Sequence, residues 1–140
     1  MLVLSLIALI AACAALYGFI EWFNNYTQAK ARYEFFTKGH TAAVVLSYGM
    51  MFFGTQWFKS AMTSNEDILN GVVVIIIGAI ILISVIVNNF RNTPKKLALI
   101  GTVAQLILYI PIAIAAVFIV LMMLAVLAQT KPTYNLNSRD

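Results

Sequence analysis

A chain of 140 residues that is 62% hydrophobic and only 10% charged departs from soluble domains, which run nearer half apolar and a quarter charged. This composition selects an integral membrane protein and leaves no length for a second, soluble domain beside the membrane spans. The net charge of +4 is spread over a few Lys and Arg clusters at the ends of apolar runs, which argues against nucleic acid as a partner, and the single cysteine excludes an internal disulfide and a multi-cysteine metal site.

Residues 2–20 form the first apolar run, long enough to cross hydrocarbon as a helix. The tetrad Ile10-Ala11-Ala12-Cys13 resembles the cleavage-and-lipidation signal of bacterial lipoproteins. No Lys or Arg precedes it and the apolar stretch before Cys13 is short, so an uncleaved span is the expectation. Small residues at helical spacing (Ser5, Ala8, Ala12, Ala15) suit close helix packing.

The next stretch, Glu21 to His40, interleaves charges, amides and aromatics, and contains neither Gly nor Pro before Gly39. Trp22, Tyr26, Ala29, Tyr33, Phe36 and His40 recur at steps of three and four, which reads as one helical face. A straight continuation of the first span would carry His40 roughly 30 Å beyond the membrane, at 1.5 Å per residue. The following run is already apolar, so the expectation is a bend near Asn24-Asn25 and an interfacial amphipathic helix over residues 22–38, ended by Gly39. Trp22, Tyr26 and Tyr33 would then face lipid headgroups, and Arg32 and Lys38 would face water, lipid phosphate or a protein partner.

Residues 41–62 are expected to form the second span, the most polar of the set. Ala43, Ser47, Gly54 and Ala61 line up as a small-residue seam, while Tyr48, Thr55 and Gln56 need partners in a bundle or a wet cavity. Ser64 and Asp67 read as a capping box opening the third span, residues 66–88, whose Val and Ile make it the most uniformly apolar. Arg91, Lys95 and Lys96 occupy the polar connector that follows, and Thr93-Pro94 reads as an N-cap with Pro at the first helical position. The fourth span covers residues 97–128 and carries Thr102, Gln105 and Tyr109 on one face, with Pro111 inside. A polar tail from Thr130 completes the chain.

Lys30, Arg32, Lys38, Arg91, Lys95 and Lys96 would share one side of the membrane, against Lys59, Lys131 and Arg139 on the other. The positive-inside rule places the two more basic connectors in the cytoplasm and both termini outside, in a plasma (inner) membrane with anionic headgroups.

Candidate chemistry is sparse. His40 stands beside Gly39 at the expected headgroup level; histidine is the side chain that changes charge near neutral pH, which makes a proton-sensitive junction the functional alternative to a polar surface residue. All five carboxylates fall at span ends or in loops. The small multidrug exporters are also short four-span proteins, but they rely on a Glu inside the first span, and none precedes Glu21 here. No nucleophile triad, phosphate-binding Gly loop or metal cluster is apparent, so neither an enzyme nor a cofactor is expected.

The resulting expectation is a single all-α membrane domain over residues 1–140, with four transmembrane helices and one interfacial helix between the first and second. As function it suggests a non-enzymatic homo-oligomeric subunit, a sensor or scaffold docking a cytoplasmic protein in a multi-component system such as bacterial defence or secretion. The alternatives are an ion or small-solute channel lined by Ser47, Tyr48, Thr55, Gln56, Thr102, Gln105 and Tyr109, those residues serving otherwise as interhelical glue, or a carrier of uncharged solutes.

Overall fold

The computed structural model describes residues 2–129, which form four helices and no strand. In chain order they are α1 (Leu2–Ala31), α2 (Lys38–Ser64), α3 (Leu69–Asn92) and α4 (Lys95–Gln129). Three of them, α1, α3 and α4, are long and apolar enough to cross a membrane. The expected polar tail lies outside the described residues, as do Lys131 and Arg139.

The separate interfacial helix over residues 22–38 is not formed. The first helix runs on without a break through Asn24-Asn25 to Ala31, and residues 32–37 are a non-helical turn. Arg32 reverses the chain with φ 51°, in the left-handed region, while its N–H still closes a last helical bond to Gln28 O at 2.9 Å. This is the stop that Gly39 was expected to supply. Gly39 instead lies in the first turn of α2, which Thr37 caps by accepting from the His40 N–H at 3.2 Å. The aromatic periodicity was misleading because its two halves belong to different segments: Trp22 and Tyr26 stack on the outer face of α1, while Tyr33 and Phe36 sit in the turn.

The other ends also shift slightly from expectation. Ser64 is the last residue of α2, which Asn65 closes in the left-handed region at φ 53°. Asp67 alone caps the next helix, accepting from the Leu69 N–H at 2.9 Å. Pro94, expected as the first helical residue, takes the N-cap position of α4 and accepts from the Ala98 N–H at 2.8 Å, and Thr93, expected as that N-cap, instead closes α3 by donating its hydroxyl to Asn89 O.

The tightest packing is between α2 and α3. Ser47, Gly54 and Ala61 are buried at steps of seven on one, and Gly71, Gly78 and Val85 at steps of seven on the other. Seven residues are nearly two turns, so each set forms a stripe, and the antiparallel stripes meet backbone to backbone. A Cβ at Gly71 would lie 2.7 Å from Phe58 N and 3.0 Å from Gly54 O; one at Gly78 would lie 2.9 Å from Ser47 O. The Ser47 hydroxyl crosses this seam to Gly78 O at 2.7 Å. Helix α4 joins through its first half only, burying Ala98, Gly101, Thr102, Gln105, Tyr109 and Ala113. Helix α1 docks through Phe23 and Thr27; from residue 3 to residue 19 every side chain is exposed.

Because the atoms facing Gly71 are backbone, they cannot rotate away. Gly71→Ala should therefore destabilise the protein by about 1–3 kcal/mol, the usual range for overpacking. Thermal unfolding in detergent should show a lowered midpoint for Gly71→Ala and no lowering for Gly18→Ala, where an added Cβ meets nothing within 4 Å and alanine is the better helix former.

Candidate functional site

The turn of residues 32–37 folds into the end of the bundle where α1 and α3 finish and α2 and α4 begin. Phe35 is its anchor. The ring is fully buried, edge-on to Phe23 and Tyr33, and it rests directly on Gly101, where a Cβ would come within 2.5 Å of the ring. Only glycine lets α4 approach this aromatic so closely. Phe36 packs edge-on against Phe23 and Tyr109, which extends the same apolar cluster to Val44 and Val85.

Burying this turn creates an obligation, because its backbone polar groups have no helix to satisfy them. Side chains meet it. The Asn24 amide pairs with both backbone groups of Phe36, donating to its carbonyl at 2.9 Å and accepting from its N–H at 3.0 Å. The Phe35 carbonyl accepts from Gln105 Nε2 at 2.7 Å and from His40 Nδ1 at 3.0 Å. Gln105 Oε1 in turn accepts from Asn89 Nδ2 at 2.8 Å, which also reaches Thr102 Oγ1 at 3.0 Å. Asn89 Oδ1 accepts from the Tyr33 hydroxyl at 2.8 Å. Asn88 Nδ2 lies 3.1 Å from that hydroxyl and 3.2 Å from His40 Nε2. The chain of bonds thus closes on itself: Phe35 carbonyl, Gln105, Asn89, Tyr33, Asn88, His40 and back to Phe35.

The ring fixes the state of the histidine. A carbonyl can only accept, so Nδ1 carries the proton, and Nε2 is left to accept from the Asn88 amide. Among the described residues, every buried side-chain nitrogen or oxygen has a partner.

Six of the seven residues expected as pore lining or polar glue are hydrogen-bonded within the chain. Tyr109 donates to Thr41 Oγ1 at 2.6 Å, since Thr41 gives its own proton to Thr37 O. Tyr48 donates to Leu106 O at 3.0 Å, next to the Ile107 carbonyl that Pro111 leaves without its N–H. Ser47, Thr102 and Gln105 are bonded across helices as described. Thr55 returns its hydroxyl to Met51 O in its own helix, and Gln56 is exposed. Of the residues expected to face lipid or a partner, Trp22, Tyr26, Arg32, Lys38, Arg91, Lys95 and Lys96 are exposed. Tyr33 is the exception: its hydroxyl points into the ring instead of toward headgroups. Sequence reasoning missed Asn24, Phe35, Asn88 and Asn89. The adjacent Asn88-Asn89 pair directly after a Val/Ile run was the available signal, but it falls at the expected boundary between the third span and the polar connector.

Asn89 donates twice and accepts once with no exposed surface. Asn89→Leu keeps the volume but strands Tyr33, Thr102 and Gln105, so it should cost about 1–3 kcal/mol of unfolding free energy. Chemical denaturation in detergent would measure this; a loss below about 0.5 kcal/mol would contradict the ring. Burial pushes the Tyr33 phenol above the ordinary tyrosine value near 10, with the Asn88 hydrogen bond opposing it. The neutral phenol is therefore favoured by folding. Its contribution is complete below about pH 10 and is lost as pH rises through the raised folded value. The unfolding midpoint should accordingly drop above pH 10, and Tyr33→Phe should lower it at pH 8 while making the alkaline drop smaller.

Compared with protein-family models, with curated proteins and with solved structures, the chain matches none.

Proposed function

We propose that this chain is a non-enzymatic, multi-pass membrane subunit that assembles with copies of itself and presents a rigid basic end to a cytoplasmic protein. In this reading α2 is the fourth span. It is more polar than its neighbours, but it lies along α3 from Ser47 against Gly78 to Gly54 against Gly71, so a bilayer that takes up α3 takes up α2 at the same depth.

The observation that carries the proposal is the charge around the closed ring. Lys30, Arg32, Lys38, Arg91, Lys95 and Lys96 are all exposed and lie at the end where the ring joins the helix termini. The opposite turn holds Glu66 and Asp67, with Lys59 on the last turns of α2. Such asymmetry favours the basic end inside the cell. The ring holds that end in one shape, which suits a docking platform better than a moving gate. Self-assembly is favoured by α1, whose exposed face from Val3 to Phe19 finds no cover within the chain.

A pore along spans two and four draws little support from the geometry, since Ser47, Tyr48, Thr102, Gln105 and Tyr109 are bonded inside one chain. The two readings separate experimentally. Under the scaffold reading, Arg32→Glu with Arg91→Glu removes a co-purifying cytoplasmic protein from cross-linked membranes while the oligomer mass is unchanged. Wild-type protein that is monomeric in native membranes, or that brings down no partner, contradicts it. Solute flux into liposomes that disappears in Gln56→Leu/Gln105→Leu would favour the pore.

A further inference from the structure

One face of α2 is left open beside α4. Lys38, Ala42, Val45, Gly49 and Phe53 follow steps of four, three, four and four, which makes them a single stripe along the helix. Two hollows lie on it. The first, of about 470 Å³, runs from Lys38 past Thr41 and Ala42 to Val45, with Ile112 of α4 as its far wall. The second, of about 280 Å³, continues from Val45 past Gly49 to Phe53, walled by Ala116 and Val120. Val45 lines both, so the two hollows adjoin at this residue and follow one another along the stripe as a trench.

Three properties of the trench select its occupant. Its length, from Lys38 to Phe53, is roughly 22 Å at 1.5 Å per residue. That is about half of a bilayer measured with its headgroups, or one leaflet. Its walls are apolar beyond the first turn of α2, and its mouth presents one available charge. At the mouth the Thr41 hydroxyl is engaged with Thr37 O and Tyr109 and the Thr37 hydroxyl accepts from His40 N, and the exposed Lys38 is the one charged residue that lines the hollow. Its middle is open at Gly49. At Gly54, Gly71 and Gly78 an added Cβ would strike a neighbouring helix, whereas at Gly49 it would meet nothing within 4 Å.

We propose that this trench binds one acyl chain of an anionic phospholipid, whose phosphate pairs with Lys38. The site rests on α2 crossing the membrane with the basic end at one headgroup layer. Phosphate and ammonium then meet at the depth where lipid phosphate lies, and the chain descends along Ala42 and Gly49 to the midplane.

The test is native mass spectrometry of the full chain with equal amounts of dioleoyl phosphatidylglycerol and dioleoyl phosphatidylcholine. Wild type should retain the anionic lipid about fivefold over the zwitterionic one, the ratio expected from one basic side chain near the headgroups. Lys38→Gln should lower the ratio about fivefold, while Arg91→Gln, which removes an equal charge away from the trench, should lower it less. Ala42→Trp and Gly49→Leu should each reduce retention of both lipids, with unchanged thermal midpoints showing that the fold survives. Equal retention of the two lipids by wild type, equal effects of Lys38→Gln and Arg91→Gln, or full retention by both filled variants would overturn the site. A filled variant that loses oligomer mass but no lipid would assign the trench to a second copy and also overturn it. Protection of Gly49→Cys from an impermeant maleimide, in a Cys13→Ala background, tests the crossing of α2 by itself. Loss of lipid selectivity with that protection intact therefore rejects the site and not the topology.

Discussion

The carbonyl of Phe35 is buried outside any helix, and the arrangement of this end of the molecule follows from satisfying it. An unpaired backbone carbonyl away from water costs free energy comparable to a lost hydrogen bond. Gln105, 70 positions away in the chain, supplies one donor, and His40 supplies the second. Once Gln105 is turned toward the loop, its own oxygen needs a donor, which Asn89 provides, and Asn89 must then be satisfied by Tyr33. Each partner comes from a different segment. The sequence of obligations thus sets where α2, α3 and α4 stand relative to the turn, and Asn24 ties α1 to the same place.

Apolar burial alone would not give this specificity in a bilayer, where lipid tails are as good a neighbour as leucine. The molecule uses two other devices. Along α2 and α3, glycines and a serine bring backbones into contact, and dispersion between them replaces the hydrophobic effect. At the basic end, the polar ring permits only one pairing of donors and acceptors. Away from both devices the helices are uncovered: the first two-thirds of α1 and the second half of α4 carry exposed Leu, Ile, Val and Met. The closely packed part and the uncovered part are therefore separate.

Much of this was legible in the sequence, because it is periodic. Span-length apolar runs marked three helices, and the spacing of Ser47, Gly54 and Ala61 marked the seam on α2. Thr102, Gln105 and Tyr109 share a face by spacing, and at the same end of the bundle Thr102 and Gln105 both bond to Asn89 while Tyr109 bonds to Thr41. The turn was not legible. Residues 22–40 carry a helical aromatic pattern, and nothing local indicates that Arg32 takes a left-handed conformation or that Asn24 stays helical while its side chain binds a loop 12 residues on. Local pattern describes what a segment can do alone. The choice between an in-plane helix and a folded turn was made by Gly101, which leaves room for Phe35, and by Gln105 and Asn89, which satisfy it. Asn88 and Asn89 were informative residues read as ordinary loop polarity.

These side chains form one network and not a set of separate bonds. Tyr33 and Gln105 do not bond to each other but share Asn89. A double-mutant cycle of Tyr33→Phe and Gln105→Leu on unfolding free energy in detergent therefore tests it most directly. A coupling of about 0.5 kcal/mol or more between the two sites is the predicted result. Strict additivity, within about 0.3 kcal/mol, would mean that the ring is not a unit and that the turn is held by the burial of Phe35 alone.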